Sequence, residues 1–174
     1  MIFYRNINFT SLQLLINGKF ESNDCNILVV GNKKIKELFD IEYQLKENYP
    51  VNSVEADLMD DKNERDRLIE NTKALCKYFE NDLYTRQAVV QMKYNDEPEL
   101  ASCLSLFQFI VRNNKLFLFV FVRSQNYDKN FQYDNDTYFK MYSELFNILS
   151  TKNNKLKFGE INVKITSLHR FIES

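Results

Sequence analysis

Glycine and proline are scarce in this chain, three and two residues among 174, and histidine occurs once. Beside abundant Asn, Lys, Tyr and Phe, that scarcity is the composition of a chain encoded by AT-rich DNA, which suits a phage or a low-GC bacterium. One histidine and three widely spaced cysteines, with no Cys-x-x-Cys, leave zinc without a ligand set and fit a reducing cytoplasm. Neither charge sign is in excess, with 23 Lys plus Arg against 24 Asp plus Glu. No global basic field therefore attracts nucleic acid or an acidic membrane, whereas small anionic ligands stay open. The amino end lacks a signal-peptide run, and the longest apolar stretch, 116–122, is too short to cross a bilayer. The expectation is a soluble, cytoplasmic protein with no membrane partner, no direct nucleic-acid binding and no metal.

What is present organises as one domain over residues 1–174, long enough to bury roughly two-thirds of its unfolded surface. Asn8-Phe9-Thr10 ahead of Leu12, Leu15 and Ile16 predicts a short capped helix ending at Gly18. Residues 26–31 read as a strand. Ile35, Leu38 and Phe39 fall at helical spacing and predict a turn of helix before a second strand over 41–45. Leu58, Leu68, Ile69, Thr72, Leu75, Cys76 and Phe79 predict an amphipathic helix over 57–82. Its acidic opening, Asp60, Asp61, Glu64 and Asp66, suits a positive helix amino terminus better than a metal site. Strands follow over 85–92, 103–111 and 116–123, the last two joined at Asn113-Asn114 by a hairpin turn. A helix capped by Asp134 or Asp136 runs to about Leu149, and 156–171 returns to strand alternation. The pattern is α+β, with a mixed, mostly antiparallel sheet and flanking helices.

Several residues carry chemistry if they converge. Cys103 on an apolar strand is either a small core residue or a nucleophile. Arg123 and Ser124 at the end of a long apolar strand offer a guanidinium fork and a hydroxyl to a phosphate, although a surface ion pair also accounts for Arg123. His169, beside Leu168 and Phe171, is by itself either a packed side chain or a ligand.

Taken in order, these segments resemble thymidylate synthase and its relatives, the deoxypyrimidine nucleotide hydroxymethylases, in a short and divergent form. The family's catalytic Pro-Cys-His-x-Leu-Phe-Gln-Phe is matched by Ser102-Cys103-Leu104-Ser105-Leu106-Phe107-Gln108-Phe109. Its Arg-Ser block, with a base-reading residue eleven positions beyond the arginine and a tyrosine four further, is matched by Arg123-Ser124, Asp134 and Tyr138. Residues 84–90, containing Arg86, resemble the strand whose arginine reaches the partner subunit's phosphate site. Leu168-His169-Arg170-Phe171 resembles the His-x-Tyr pair that holds the sugar hydroxyl, with phenylalanine in place of tyrosine.

The resemblance implies a thymidylate-synthase-like fold, a homodimer and a deoxypyrimidine monophosphate ligand. It implies Cys103 as the nucleophile at C6 of the base, and Arg123, Ser124 and a partner's Arg86 on the phosphate. Asp134 and Tyr138 fall to the base and its surroundings, and His169 to the sugar. A carboxyl group at Asp134, where asparagine suits uracil, points to dCMP, and methylenetetrahydrofolate is the implied one-carbon donor if the chain is active. The departures are specific. The family's proline is Ser102, the histidine after the cysteine is Leu104, its aspartate in the Arg-Ser block is Asn126, and its glycine is Asn130. Asn130 carries bulk where folate packs, Glu64 and Glu70 both stay open as the general base, and with the sequence ending three residues after Phe171 no closing tail is expected. Two readings result: a pyrimidine C5 methyl- or hydroxymethyltransferase, and an inactive protein of the same fold serving as a binding or structural component.

Overall fold

The computed structural model describes residues 2–4, 6–51, 59–92 and 103–172. In chain order these form β1 (Ile2–Tyr4), α1 (Phe9–Glu21), β2 (Asn26–Val30), β3 (Lys33–Leu45), α2 (Met59–Ala74), α3 (Cys76–Asn81), β4 (Val89–Gln91), β5 (Leu104–Arg112), β6 (Lys115–Asn126), α4 (Tyr127–Lys152) and β7 (Lys157–Ile172). The strands make one mixed sheet in the order β1-β3-β7-β6-β5-β4, with β2 also paired to β3. Among the described residues β1–β3 and β6–β7 are parallel and the other pairs antiparallel, as expected for a mixed, mostly antiparallel sheet. Leu58, Ser102 and the side chains of Asp60, Asp61 and Glu64 lie outside the described residues.

The β5–β6 hairpin forms as the sequence predicts. Asn113 and Asn114 both take left-handed φ, 52° and 57°, the conformation that a two-residue turn matched to strand twist requires. Helix α4 packs on the sheet through Met141, Tyr142, Leu145 and Leu149, all buried. Tyr142 also ties two strands together: its hydroxyl donates to Leu116 O at 2.6 Å and accepts from Gly159 N–H at 3.0 Å. Glycine is required at 159, since a Cβ there would lie 2.2 Å from Leu116 O.

Several element boundaries differ from the sequence reading, each for a local reason. Helix α1 continues past Gly18 to Glu21, because burial of Phe20 outweighs the cost of about 1 kcal/mol for a helical glycine. The long helix over 57–82 is interrupted at Leu75, giving α2 and α3, and the strand expected over 85–92 pairs only at 89–91. Helix α4 begins seven residues before Asp134. Asn126 caps it by accepting from Asp128 N–H and Lys129 N–H at 3.0 and 3.1 Å, so Asp134 and Asp136 are helix-interior residues.

The helical turn expected at 35–39 is part of one continuous strand, β3. Its ladder with β7 omits a rung at Asp40–Thr166, where Asp40 has φ of 54°. The β6–β7 ladder omits the neighbouring rung at Arg123–Thr166. Across this line the buried side chains change parity, from Ile41 and Ile165 on one side to Leu38 and Leu168 on the other. Buried Ile35, Leu38 and Ile41 are therefore spaced by three, which imitates a helix. The same kink re-aims every side chain beyond it.

Candidate functional site

Beyond the kink, β3, β7 and β6 bring four polar side chains together. His169 on β7 stands directly opposite Glu37 on β3, and directly opposed residues share a face of the sheet. Ser124 Oγ lies 3.4 Å from His169 Nδ1, and the Ser167 hydroxyl donates to Glu37 Oε1. Leu38 and Leu168 point the other way into the core, and Arg170 packs over Phe20 and Tyr127 while pairing with Asp128. The polar group therefore occupies the face turned away from α1 and α4. Burial lowers the His169 pKa from its ordinary value, with the Glu37 charge opposing that shift. At this end of the sheet His169 is held mainly as neutral imidazole at neutral pH.

Cys103 and Arg123 adjoin this group. The Arg123 N–H donates to Cys103 O at 2.9 Å, so the cysteine that opens β5 sits beside the arginine that precedes Ser124. Both residues are exposed, and none of the three cysteines is in a disulfide. The β5–β6 register shifts between Leu104 and Leu106, so the irregular line of the sheet reaches the Cys103 strand as well.

The remaining sequence-predicted residues lie apart from this cluster. Asp134, on the second turn of α4, accepts from Gln125 Nε2 at 2.6 Å, which links it to the residue after Ser124 from the helix side of the sheet. Tyr138 is 2% exposed and belongs to the hydrophobic core, where its ring serves packing. Arg86 is exposed before β4, and its carbonyl accepts from Gln108 Nε2 at 2.9 Å. Five residues of extended strand separate Gln108 from Cys103, roughly 17 Å, so Arg86 stands away from the cysteine of its own protomer. Lys36 is engaged with Phe20 O, and Lys33 lies over the Phe171 ring at 5.1 Å. Glu70 is exposed on α2.

Three residues of this region escaped the sequence reading. Glu37 and Ser167 join the polar strip, and Gln125, 2% exposed, holds Asp134. Little in the sequence singled Glu37 out, since it stands among Lys33, Lys34, Lys36 and Asp40 and the apolar residues beside it fall at helical spacing. Two cavities lie elsewhere: one of about 300 Å³ along Phe119, Phe121, Gln44 and Asn162, and one of about 290 Å³ around Asn8, Lys46 and Tyr49. Neither is lined by Cys103, Arg123 or His169. Among the described residues no group of His, Cys, Asp and Glu could hold a metal ion, and no helix is long and apolar enough to cross a membrane.

The architecture has a counterpart among solved structures. Thermostable thymidylate synthase A from Bacillus subtilis is similar to this chain with a TM-score of 0.66 and 12% identity, over 95% of this chain and 80% of that one. No protein-family model matches the chain, and no curated protein matches it in sequence. The likeness defines a thymidylate-synthase-like α+β fold.

Proposed function

We propose that this protein binds a pyrimidine deoxynucleoside monophosphate at the Cys103–Arg123–Ser124–His169 end of its sheet. The observation that carries the reading is convergence. Segments 20 and 46 residues apart in sequence, at Cys103, Arg123 and His169, meet on adjacent strands, in the order that a nucleophile, a phosphate clamp and a sugar ligand require. In this reading Arg123 and Ser124 bind the 5′-phosphate, helped by Arg86 of the partner subunit in a homodimer. His169 takes the sugar, and the base reaches past the end of the strands toward Asp134, which Gln125 holds from the helix side and which favours cytosine over uracil.

The residues present do not fit methylenetetrahydrofolate, so no step is derived through it. Asn126 is committed to capping α4, and Asn130, in the first turn of that helix, adds a side chain where the family's glycine leaves space. What Cys103 can do without a folate is reversible addition. Its thiolate sulfur forms a bond to C6, the C5–C6 π pair moves to C5, and solvent protonates C5. Loss of the original C5 hydrogen and expulsion of the thiolate restores the base with exchanged hydrogen.

A second reading, a binding protein without catalysis, draws on the same Asn126 and Asn130 observations. Titration calorimetry and tritium release from [5-³H]dCMP separate the two. The nucleotide reading expects dCMP to bind more tightly than dUMP, and equal or reversed affinities remove Asp134 as the base reader. Release by wild type and none by Cys103→Ala marks Cys103 as the nucleophile. Equal silence from both, with dCMP still bound, leaves a binding protein.

A further inference from the structure

Glu37 is the least satisfied charged side chain of the polar strip. It is 6% exposed, and although Oε1 accepts from Ser167, Oε2 has no hydrogen-bond partner among the described residues. No described ion pair reaches it, and the nearby Lys33 lies over the Phe171 ring instead. A buried carboxylate with an unpaired oxygen is unfavourable and calls for a donor from outside the described residues. Its surroundings indicate which donor. Directly opposite is His169, with Ser124 against the histidine's Nδ1. Two exposed rings flank the strip: Phe39, 47% exposed and paired with Ser167, and Phe171, 40% exposed and 5.5 Å from the His169 ring. An unpaired carboxylate oxygen between aromatic walls suits a hydroxyl of the ligand and repels a phosphate placed directly against it.

We propose that Glu37 accepts a hydrogen bond from the 3′-hydroxyl of the bound nucleotide, sharing that hydroxyl with His169, and thereby restricts the site to free mononucleotides. The proposal rests on the nucleotide reading above. In a deoxynucleoside 5′-monophosphate the 3′-hydroxyl is the only free hydroxyl of the sugar. An esterified 3′-oxygen has no proton to give and sets a phosphate charge against the carboxylate, so 3′-phosphorylated nucleotides and internal strand positions are rejected. Glu37 is thus a specificity-determining residue that the neighbouring helical spacing hides in the sequence.

Titration calorimetry of the full chain with dCMP, 2′,3′-dideoxycytidine 5′-monophosphate and deoxycytidine 3′,5′-bisphosphate tests this. Wild type is expected to bind dCMP at least about tenfold more tightly than either analogue. In Glu37→Met both gaps narrow to about threefold or less, as expected when the charged acceptor is gone. Should that variant fail to fold, Glu37→Gln carries the test: it keeps a neutral acceptor, and its bisphosphate gap is expected to close while the dideoxy gap persists. Equal binding of dCMP and the dideoxy analogue by wild type, or gaps unchanged in the variants, overturns the Glu37 assignment and leaves the nucleotide reading standing. No dCMP binding by wild type overturns both.

Discussion

On the helix-covered face of the sheet, Ile41, Tyr43, Leu118, Val120, Val163 and Ile165 are buried in one continuous core under α1 and α4. The opposite face carries exposed Phe121 beside polar contacts: Gln44 with Glu160 and Asn162, and Lys164 with Glu42 and Asp40. The first face is finished within one chain, and the second is not. An aromatic ring left open among satisfied polar pairs is the composition of an interface centre and rim, which supports the proposed homodimer. The candidate site lies at the end of this second face, beyond the kink at Asp40 and Thr166. One face is completed by the protein's own helices, and the other carries the proposed recognition surface.

Substitutions should separate the two faces, most strongly in the core. Phe109→Ala removes a fully buried ring and is expected to cost about 3–5 kcal/mol in chemical denaturation. A loss below about 1 kcal/mol would mean that this face is not tightly packed. On the open face, Phe121→Lys is expected to change protomer stability by less than about 0.5 kcal/mol while halving the mass seen by light scattering. A wild type that is already monomeric removes the partner role of Arg86.

The smallest effect concerns pH. Burial depresses the His169 pKa below its ordinary 6.5, so the unfolded chain takes up a proton that the folded chain resists. This contribution to stability is intact above about pH 6.5 and declines as pH falls through the depressed folded value. The drop in urea midpoint between pH 7 and pH 5 should be smaller in His169→Gln than in wild type. An identical drop would place His169 in contact with solvent.

The difference between the faces also explains what the sequence could reveal. The helix-covered face follows simple alternation, so the hairpin, the strand over 157–172 and the α+β class were legible from Leu116, Val120, Ile161 and their neighbours. At the kink alternation fails, because Asp40 adopts a left-handed conformation that no residue pattern signals and burial shifts parity on adjacent strands together. Glu37 was lost there. Asn126 was missed as the cap for another reason: it ends a strand and caps a helix at once, while Asp134 and Asp136 offered a later start. Cys103, Arg123, Ser124 and His169 were each legible as candidates, but only the family resemblance joined them into one site, since no local pattern links residues on separate strands. Tyr138, carried over by the same matched spacing, is 2% exposed and packs in the core.

The central claim is that the open end of the sheet is a nucleotide site built around Arg123. Calorimetric titration of dCMP into wild type and Arg123→Ala tests it most directly. Saturable binding by wild type, weakened about tenfold to a hundredfold in the variant by loss of a charged hydrogen bond, is the predicted result. No binding by wild type, or equal affinity in both proteins, would contradict it.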